Sequence, residues 1–122
     1  MNSVFSGIDL VEISRFKDLN PAIRKRFFER VFTSQELAYI QDIDQRAAGI
    51  FAAKEAAAKT LGCGIGPISW QEIEILHSIE KKPLINLNGK AQELSHNLGI
   101  NDFSVSITHT KTTAAAVVIA IS

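Results

Sequence analysis

Three side chains in the first half of the chain have types and spacing suited to phosphate chemistry. Asp9 ends an otherwise apolar stretch, Ser3 to Val11, that reads as a first strand with Gly7-Ile8-Asp9 near its end. Glu55 sits in the middle of an Ala-rich helical segment. Phe51 precedes it by one turn and Lys59 follows by one, so the three share a face. Two carboxylates from different elements can hold Mg²⁺, which prefers oxygen ligands and often binds through one or two carboxylates plus substrate phosphates. The same Glu-to-Lys spacing also describes an exposed helix pair worth only about 0.2–0.5 kcal/mol. On residues alone both readings stand.

Other reactive types are sparser. His109 continues the apolar face of Phe103, Val105 and Ile107 and precedes a turn, which suits either a hydrogen-bonded structural histidine or a residue of a site. His77 and His96 have no partners at metal-ligand spacing, which argues against zinc. Cys63 has nothing near it in sequence that calls for a thiolate. It lies in Gly62-Cys63-Gly64-Ile65-Gly66-Pro67, a turn without the spacing of a dinucleotide fingerprint or a Walker loop. Gly64 and Gly66 can still bring backbone N–H groups close to a phosphate.

These residues need a scaffold, and 122 residues supply one domain, residues 1–122. Asn20-Pro21 gives a cap followed by proline at the first helical position. Thr33-Ser34-Gln35-Glu36 has capping-box spacing for a short helix to about Gln41. Asp44 to Leu61 is the strongest helix, with seven alanines and a stop at Gly62. Glu72 to Leu76 and Leu84 to Leu87 read as strands around an Glu80-Lys81-Lys82-Pro83 turn. Asn88 caps a helix that stops at Gly99, and Phe103–His109 and Thr113–Ile121 read as strands, the last apolar enough to be central. The order is not a strict strand–helix alternation. It predicts an α+β fold, a mostly antiparallel sheet packed against the long Ala-rich helix.

Composition narrows the function further. Thirteen basic and thirteen acidic residues give zero net charge, yet Arg15 to Arg30 holds six cations against two acids. A local basic element on a neutral body suits docking to an acidic partner better than bulk nucleic-acid binding; a solvated helix face is the plain alternative. The N-terminal residues lack the features of a signal peptide, and the longest apolar run, Ala114 to Ile121, is too short to cross a membrane. The single cysteine excludes an internal disulfide. The expectation is a cytoplasmic domain with neither a membrane nor a nucleic-acid partner.

Taken in order, GIDLVEISRF (7–16), RFFERVFTSQEL (26–37), AGIFAAKEAAAKTLGCGIG (48–66), ISWQEIEI (68–75), KKPLINLNGKA (81–91) and SVSITHTKTTAAAVVIA (104–120) resemble the holo-[acyl-carrier-protein] synthase family. These are small 4′-phosphopantetheinyl transferases of fatty-acid synthesis. The resemblance implies transfer of phosphopantetheine from coenzyme A to a serine of acyl carrier protein, with release of adenosine 3′,5′-bisphosphate. It implies Asp9 and Glu55 as Mg²⁺ ligands beside the pyrophosphate. Lys59 and His109 join them as catalytic residues, and Phe51, Lys59, Gly64, Gly66, Pro83 and His109 line the coenzyme site. Arg15, Arg26 and Arg30 match carrier-docking positions, and the family is a homotrimer with sites between protomers. The sequence departs from the family pattern at Ile50, where relatives often carry arginine, at Phe5-Ser6 and at Cys63. A noncatalytic module binding an acidic protein would have no need of both carboxylates. A small metal-dependent phosphate-ester hydrolase would have no need of a basic docking element.

Overall fold

A computed structural model describes residues 2–122. In chain order it contains β1 (Val4–Glu12), α1 (Ser14–Lys17), α2 (Pro21–Val31), α3 (Ser34–Ile40) and α4 (Asp44–Thr60). A 3₁₀ turn (Trp70–Glu72), β2 (Ile73–His77), β3 (Pro83–Leu87), α5 (Gly89–Asn97), β4 (Asp102–His109) and β5 (Thr113–Ile121) follow. The strands form two antiparallel sheets, β1-β5-β4 and the β2-β3 hairpin, so the expected α+β class holds and β5 is central.

Helix α4 organises the molecule. Alanine has the highest helix propensity, and here it also lets neighbours approach closely. The seven alanines from Ala47 to Ala58 are fully buried, so the helix is enclosed on almost every side rather than amphipathic. One flank lies on the inner face of the large sheet, where β5 contributes Ala114, Ala116, Val118 and Ala120, all buried. Gly7 of β1 faces Ala56, and Gly49 of the helix faces Ile107 of β4. At both places a β-carbon would collide, so glycine sets the helix–sheet separation.

The other flank of α4 is fixed by a buried ion pair. Lys54 Nζ lies 2.8 Å from Glu36 Oε1 and donates to the carbonyl oxygens of Trp70 (2.9 Å) and Ile73 (2.7 Å). Glu36 also closes its capping box by accepting from Thr33 N (2.8 Å), and accepts from Ile75 N (2.8 Å). Burial pushes the Glu36 carboxyl up and the Lys54 ammonium down, and each partner opposes the other's shift. With so many partners satisfied, the pair ties α3, α4 and β2 into one frame; losing either member would strand a buried charge.

Two local expectations are corrected. Asp9 does not end its strand: β1 runs on to Glu12, and Asp9 pairs in register with Ala116. Asn88 occupies the cap position of α5 but its side chain makes no capping bond. It donates instead to Gln71 O, and Glu72 from the 3₁₀ turn accepts from Lys90 N at 2.6 Å. The short helix α1 and the 3₁₀ turn have no counterpart in the sequence reading, because neither is long enough to show a period.

The outer face of the large sheet is apolar and uncovered. Val4, Ile8 and Leu10 of β1 are 72%, 68% and 70% exposed, and Val117, Ile119 and Ile121 of β5 lie beside them. No described residue covers them.

Candidate active site

Strand β1 and helix α4 bring the first cluster together. Alternation along β1 turns Gly7, Asp9 and Val11 inward toward α4. The contact at Gly7 draws strand and helix together, two residues before Asp9. Lys59 Nζ meets Asp9 Oδ1 at 3.1 Å and donates to Ile8 O at 2.9 Å. The Glu-to-Lys helix pair does not form; Lys59 crosses to the strand instead. Glu55 is half-buried and accepts no hydrogen bond from a described residue. Burial raises its carboxyl pKa, the charge on Asp9 raises it further, and Lys59 and Arg15 oppose the shift.

Asp9, Glu55, Lys59 and Arg15 therefore form one electrostatic unit. Arg15 reaches it from α1, with its guanidinium 5.0 Å from the centre of the Phe51 ring. Among the described residues no group of three or more His, Cys, Asp and Glu is arranged to hold a metal. Two carboxylates close enough for Asp9 to raise the pKa of Glu55, the latter without a protein donor, nonetheless suit a hard cation that completes its shell with waters and phosphate oxygens.

The structure does not gather every expected residue here. Phe51 is only 2% exposed and packs against Phe16 (5.6 Å), Phe27 (5.8 Å) and Trp70 (4.9 Å), so it is the hub of an aromatic core rather than a ligand surface. The glycine turn follows α4, with Gly64 and Gly66 at φ +66° and +142°. Their N–H groups are already engaged, Gly64 with Ala58 O at 3.3 Å and Gly66 with Ile68 O at 3.0 Å. Glycine serves backbone shape here, and neither amide is free for a phosphate. His109 and Pro83 line a different cavity, of about 240 Å³, beside the other end of α4. Asp9 pairs with Ala116 and His109 with Ala114 on either side of β5, so their backbones are two strands apart across the sheet and two residues apart along it, about 12 Å.

The basic surface is smaller than the charge count suggests. Arg24 is drawn inward by Asp42 (3.0 Å), Asp44 (2.7 Å) and Phe16 O (2.9 Å), and lies 4.3 Å over the Phe28 ring. Arg15, Arg26 and Arg30 remain exposed. The sequence reading missed Gln71, whose Nε2 donates to Glu29 O (2.8 Å) and Phe32 O (3.2 Å) and so caps the C-terminal end of α2, which carries Arg30. It also missed the Glu36–Lys54 pair. Nothing local marks either contact, since each joins segments far apart in sequence.

Known proteins resemble the chain in sequence and in fold. A family model described as the 4′-phosphopantetheinyl transferase superfamily matches residues 6–118. The chain is 41% identical over 121 residues to holo-[acyl-carrier-protein] synthase of Thermoanaerobacter sp. (strain X514), covering 97% of this chain and 87% of that protein. The crystal structure of Helicobacter pylori holo-[acyl-carrier-protein] synthase in complex with coenzyme A superposes with a TM-score of 0.85 at 35% identity, over 94% of this chain and 98% of that one. The synthase from Neisseria meningitidis gives 0.83 at 33% identity, over 95% and 96%.

Proposed function

The chain belongs to the 4′-phosphopantetheinyl transferase superfamily, and on that premise we propose that it transfers 4′-phosphopantetheine from coenzyme A to a serine of acyl carrier protein. The observation that carries the reading to particular residues is the Asp9–Glu55–Lys59 cluster across the β1–α4 contact. The serine oxygen attacks the pyrophosphate phosphorus that bears the pantetheine. A phosphorus–oxygen bond forms there, and the bond to the bridging oxygen breaks. That oxygen leaves with the electron pair on adenosine 3′,5′-bisphosphate. Little covalent chemistry falls to the protein; its work is to position the groups and stabilise charge.

Each residue then has a task. Asp9 and Glu55 would hold Mg²⁺, which when bound offsets negative charge on the pyrophosphate and the leaving group. Lys59 is half exposed and turns from Asp9 and Ile8 O toward incoming phosphate oxygens. The two carboxylates are the acceptors this cluster offers for the serine proton. Arg15 stands beside both Glu55 and the docking surface, so a carrier protein held by Arg15, Arg26 and Arg30 presents its serine next to the carboxylates. His109 and Pro83 would line the nucleotide side of the site.

Within one chain His109 stands apart from the carboxylates, which supports a site completed by a second copy. We infer a homotrimer in which the uncovered apolar face of β1 and β5 is buried and the carboxylate cluster of one protomer meets the His109 cavity of the next. Burial of that face would be favourable by about 25 cal/mol per Å² of apolar surface. No helix among the described residues is long and apolar enough to cross a membrane. With a single free cysteine, the chain fits the cytoplasm as its place of work.

The test is mass spectrometry of an apo acyl carrier protein incubated with the chain, coenzyme A and Mg²⁺. The reading expects the mass gain of one phosphopantetheine on a serine, and an unmodified carrier contradicts it.

A further inference from the structure

Helix α2 carries Arg26 and Arg30 and ends abruptly. Its cap residue Phe32 is already extended (φ −103°, ψ 139°), and Phe32 N donates to Phe28 O. The carbonyls beyond Phe28 have no donor within the helix, as at any helix C-terminus. Gln71 supplies one from outside. Its Nε2 donates to Glu29 O at 2.8 Å, to Phe32 O at 3.2 Å and, at the limit of a hydrogen bond, to Arg30 O at 3.4 Å. Gln71 is itself exposed, so burial does not force this arrangement.

The 3₁₀ turn that presents Gln71 is fixed from three sides. Beneath it, Lys54 Nζ donates to Trp70 O and Ile73 O, carbonyls on either side of Gln71. Glu72 closes the turn by accepting from Ser69 N at 2.7 Å and from Lys90 N at 2.6 Å. Asn88 Nδ2 donates to Gln71 O at 3.3 Å. The amide is therefore a preset donor aimed at the end of α2.

Arg30 stands in the last turn of that helix and shares a cavity of about 360 Å³ with Ser69, Trp70 and Gln71. Among the described residues none pairs with its guanidinium. An arginine at this place readily bonds its own helix's terminal carbonyls, where the dipole also favours it. Here Gln71 holds them. Arg24 shows the alternative fate on the same helix: Asp42, Asp44 and Phe16 O draw it inward, out of reach of a partner. Resting on the transferase reading, in which Arg30 helps to hold the carrier protein, we propose that Gln71 is a positioning residue for docking. By occupying the terminal carbonyls of α2 it keeps the Arg30 guanidinium free for an acidic side chain of the carrier protein. Because the donor is neutral, it does so without repelling Arg30.

Two measurements decide it. Gln71→Met keeps the length of the side chain and removes the donor. In steady-state transfer it should raise KM for the carrier protein about fivefold, leaving KM for coenzyme A and kcat within about twofold. Arg30→Ala should cost about the same fivefold, and the double variant no more than Arg30→Ala alone, because the arginine through which Gln71 acts is gone. Gln71→Met combined with Arg26→Ala should instead multiply the two losses. A combined loss of about 25-fold for Gln71→Met with Arg30→Ala, the product of independent effects, overturns the proposal. So does an equal rise in KM for both substrates. Kinetics are taken well below each variant's Tm, and Gln71→Asn, one carbon shorter, should repeat the result. The second measurement needs no substrate. By NMR, the Arg30 guanidinium protons should exchange with water about fivefold more slowly in Gln71→Met than in the wild type, since they now bond the freed carbonyls. Unchanged exchange refutes the release of Arg30 by Gln71. A wild-type chain that neither binds nor modifies the carrier protein would count against the transferase reading, and the exchange comparison would still decide the role of Gln71.

Discussion

Gly7→Ala tests whether the distance between β1 and α4 governs the chemistry. The added β-carbon would overlap Ala56 O and lie 2.6 Å from Thr60 Oγ1 and 2.9 Å from Thr60 N, where ordinary contact begins at 3.4 Å. Helix α4 has little freedom to yield, because Lys54 anchors its far flank to Glu36, Trp70 O and Ile73 O. The strand must therefore retreat by about 1 Å in an interior packed too densely to absorb the change. Overpacking of this kind costs about 1–3 kcal/mol. For a domain of this size that is a fall in Tm of roughly 4–12 °C. Asp9 lies two residues along the same face and moves with the strand, away from Glu55. A displacement of ~1 Å in a positioning group costs about 100-fold in rate. The assays are thermal unfolding, and transfer kinetics measured well below the variant's Tm. Since the overlap with Ala56 O is with backbone, adding Thr60→Ala should rescue little. A variant with wild-type Tm and kcat refutes the packing argument. A lowered Tm with full kcat refutes the link from strand position to catalysis.

Further expectations follow from the same geometry. In metal-free protein, burial and Asp9 hold the Glu55 carboxyl above its usual value. The folded state then binds more protons than the unfolded one as pH rises through that interval, and stability falls. Glu55→Gln should therefore be more stable than wild type at pH about 7, with the gap closing below pH about 4; a less stable variant at neutral pH contradicts this. Leu10→Glu places a charge on the uncovered sheet face and should convert the assembly to smaller species in analytical ultracentrifugation, with loss of transfer. An unchanged mass rules that face out as the interface. Arg26→Glu should weaken binding of the carrier protein and flatten its salt dependence while leaving coenzyme A affinity unchanged in titration calorimetry. Equal loss for both ligands would mean that docking and donor surfaces are not separate.

Local signals carried most of the fold. Thr33 to Glu36 closes the capping box its spacing implies, Asn20 accepts from Ala22 N ahead of Pro21, and Thr113–Ile121 is the central strand its apolar run predicts. Each depends on neighbours in sequence, so each is readable there. The misses are contacts between distant segments. Lys54 looks like one more polar residue on an alanine helix until Glu36 is folded onto it. Asn88 has the right type for a cap, but Glu72 arrives first. Gly64 and Gly66 show where the backbone needs freedom, yet only three-dimensional hydrogen bonding shows that their amides are spent. The carboxylate pair was legible as chemistry, whereas the separation of His109 from it depends on strand order, which no single segment encodes.

The most direct measurement is the Mg²⁺ dependence of transfer in the wild type, Asp9→Asn and Glu55→Gln, each starting from chelator-treated protein. The account predicts no transfer by the wild type in chelator, recovery on adding Mg²⁺, and loss of that recovery in both variants while their folds persist by circular dichroism. Transfer that survives chelation, or variants that recover at the same Mg²⁺ concentration as the wild type, would contradict it.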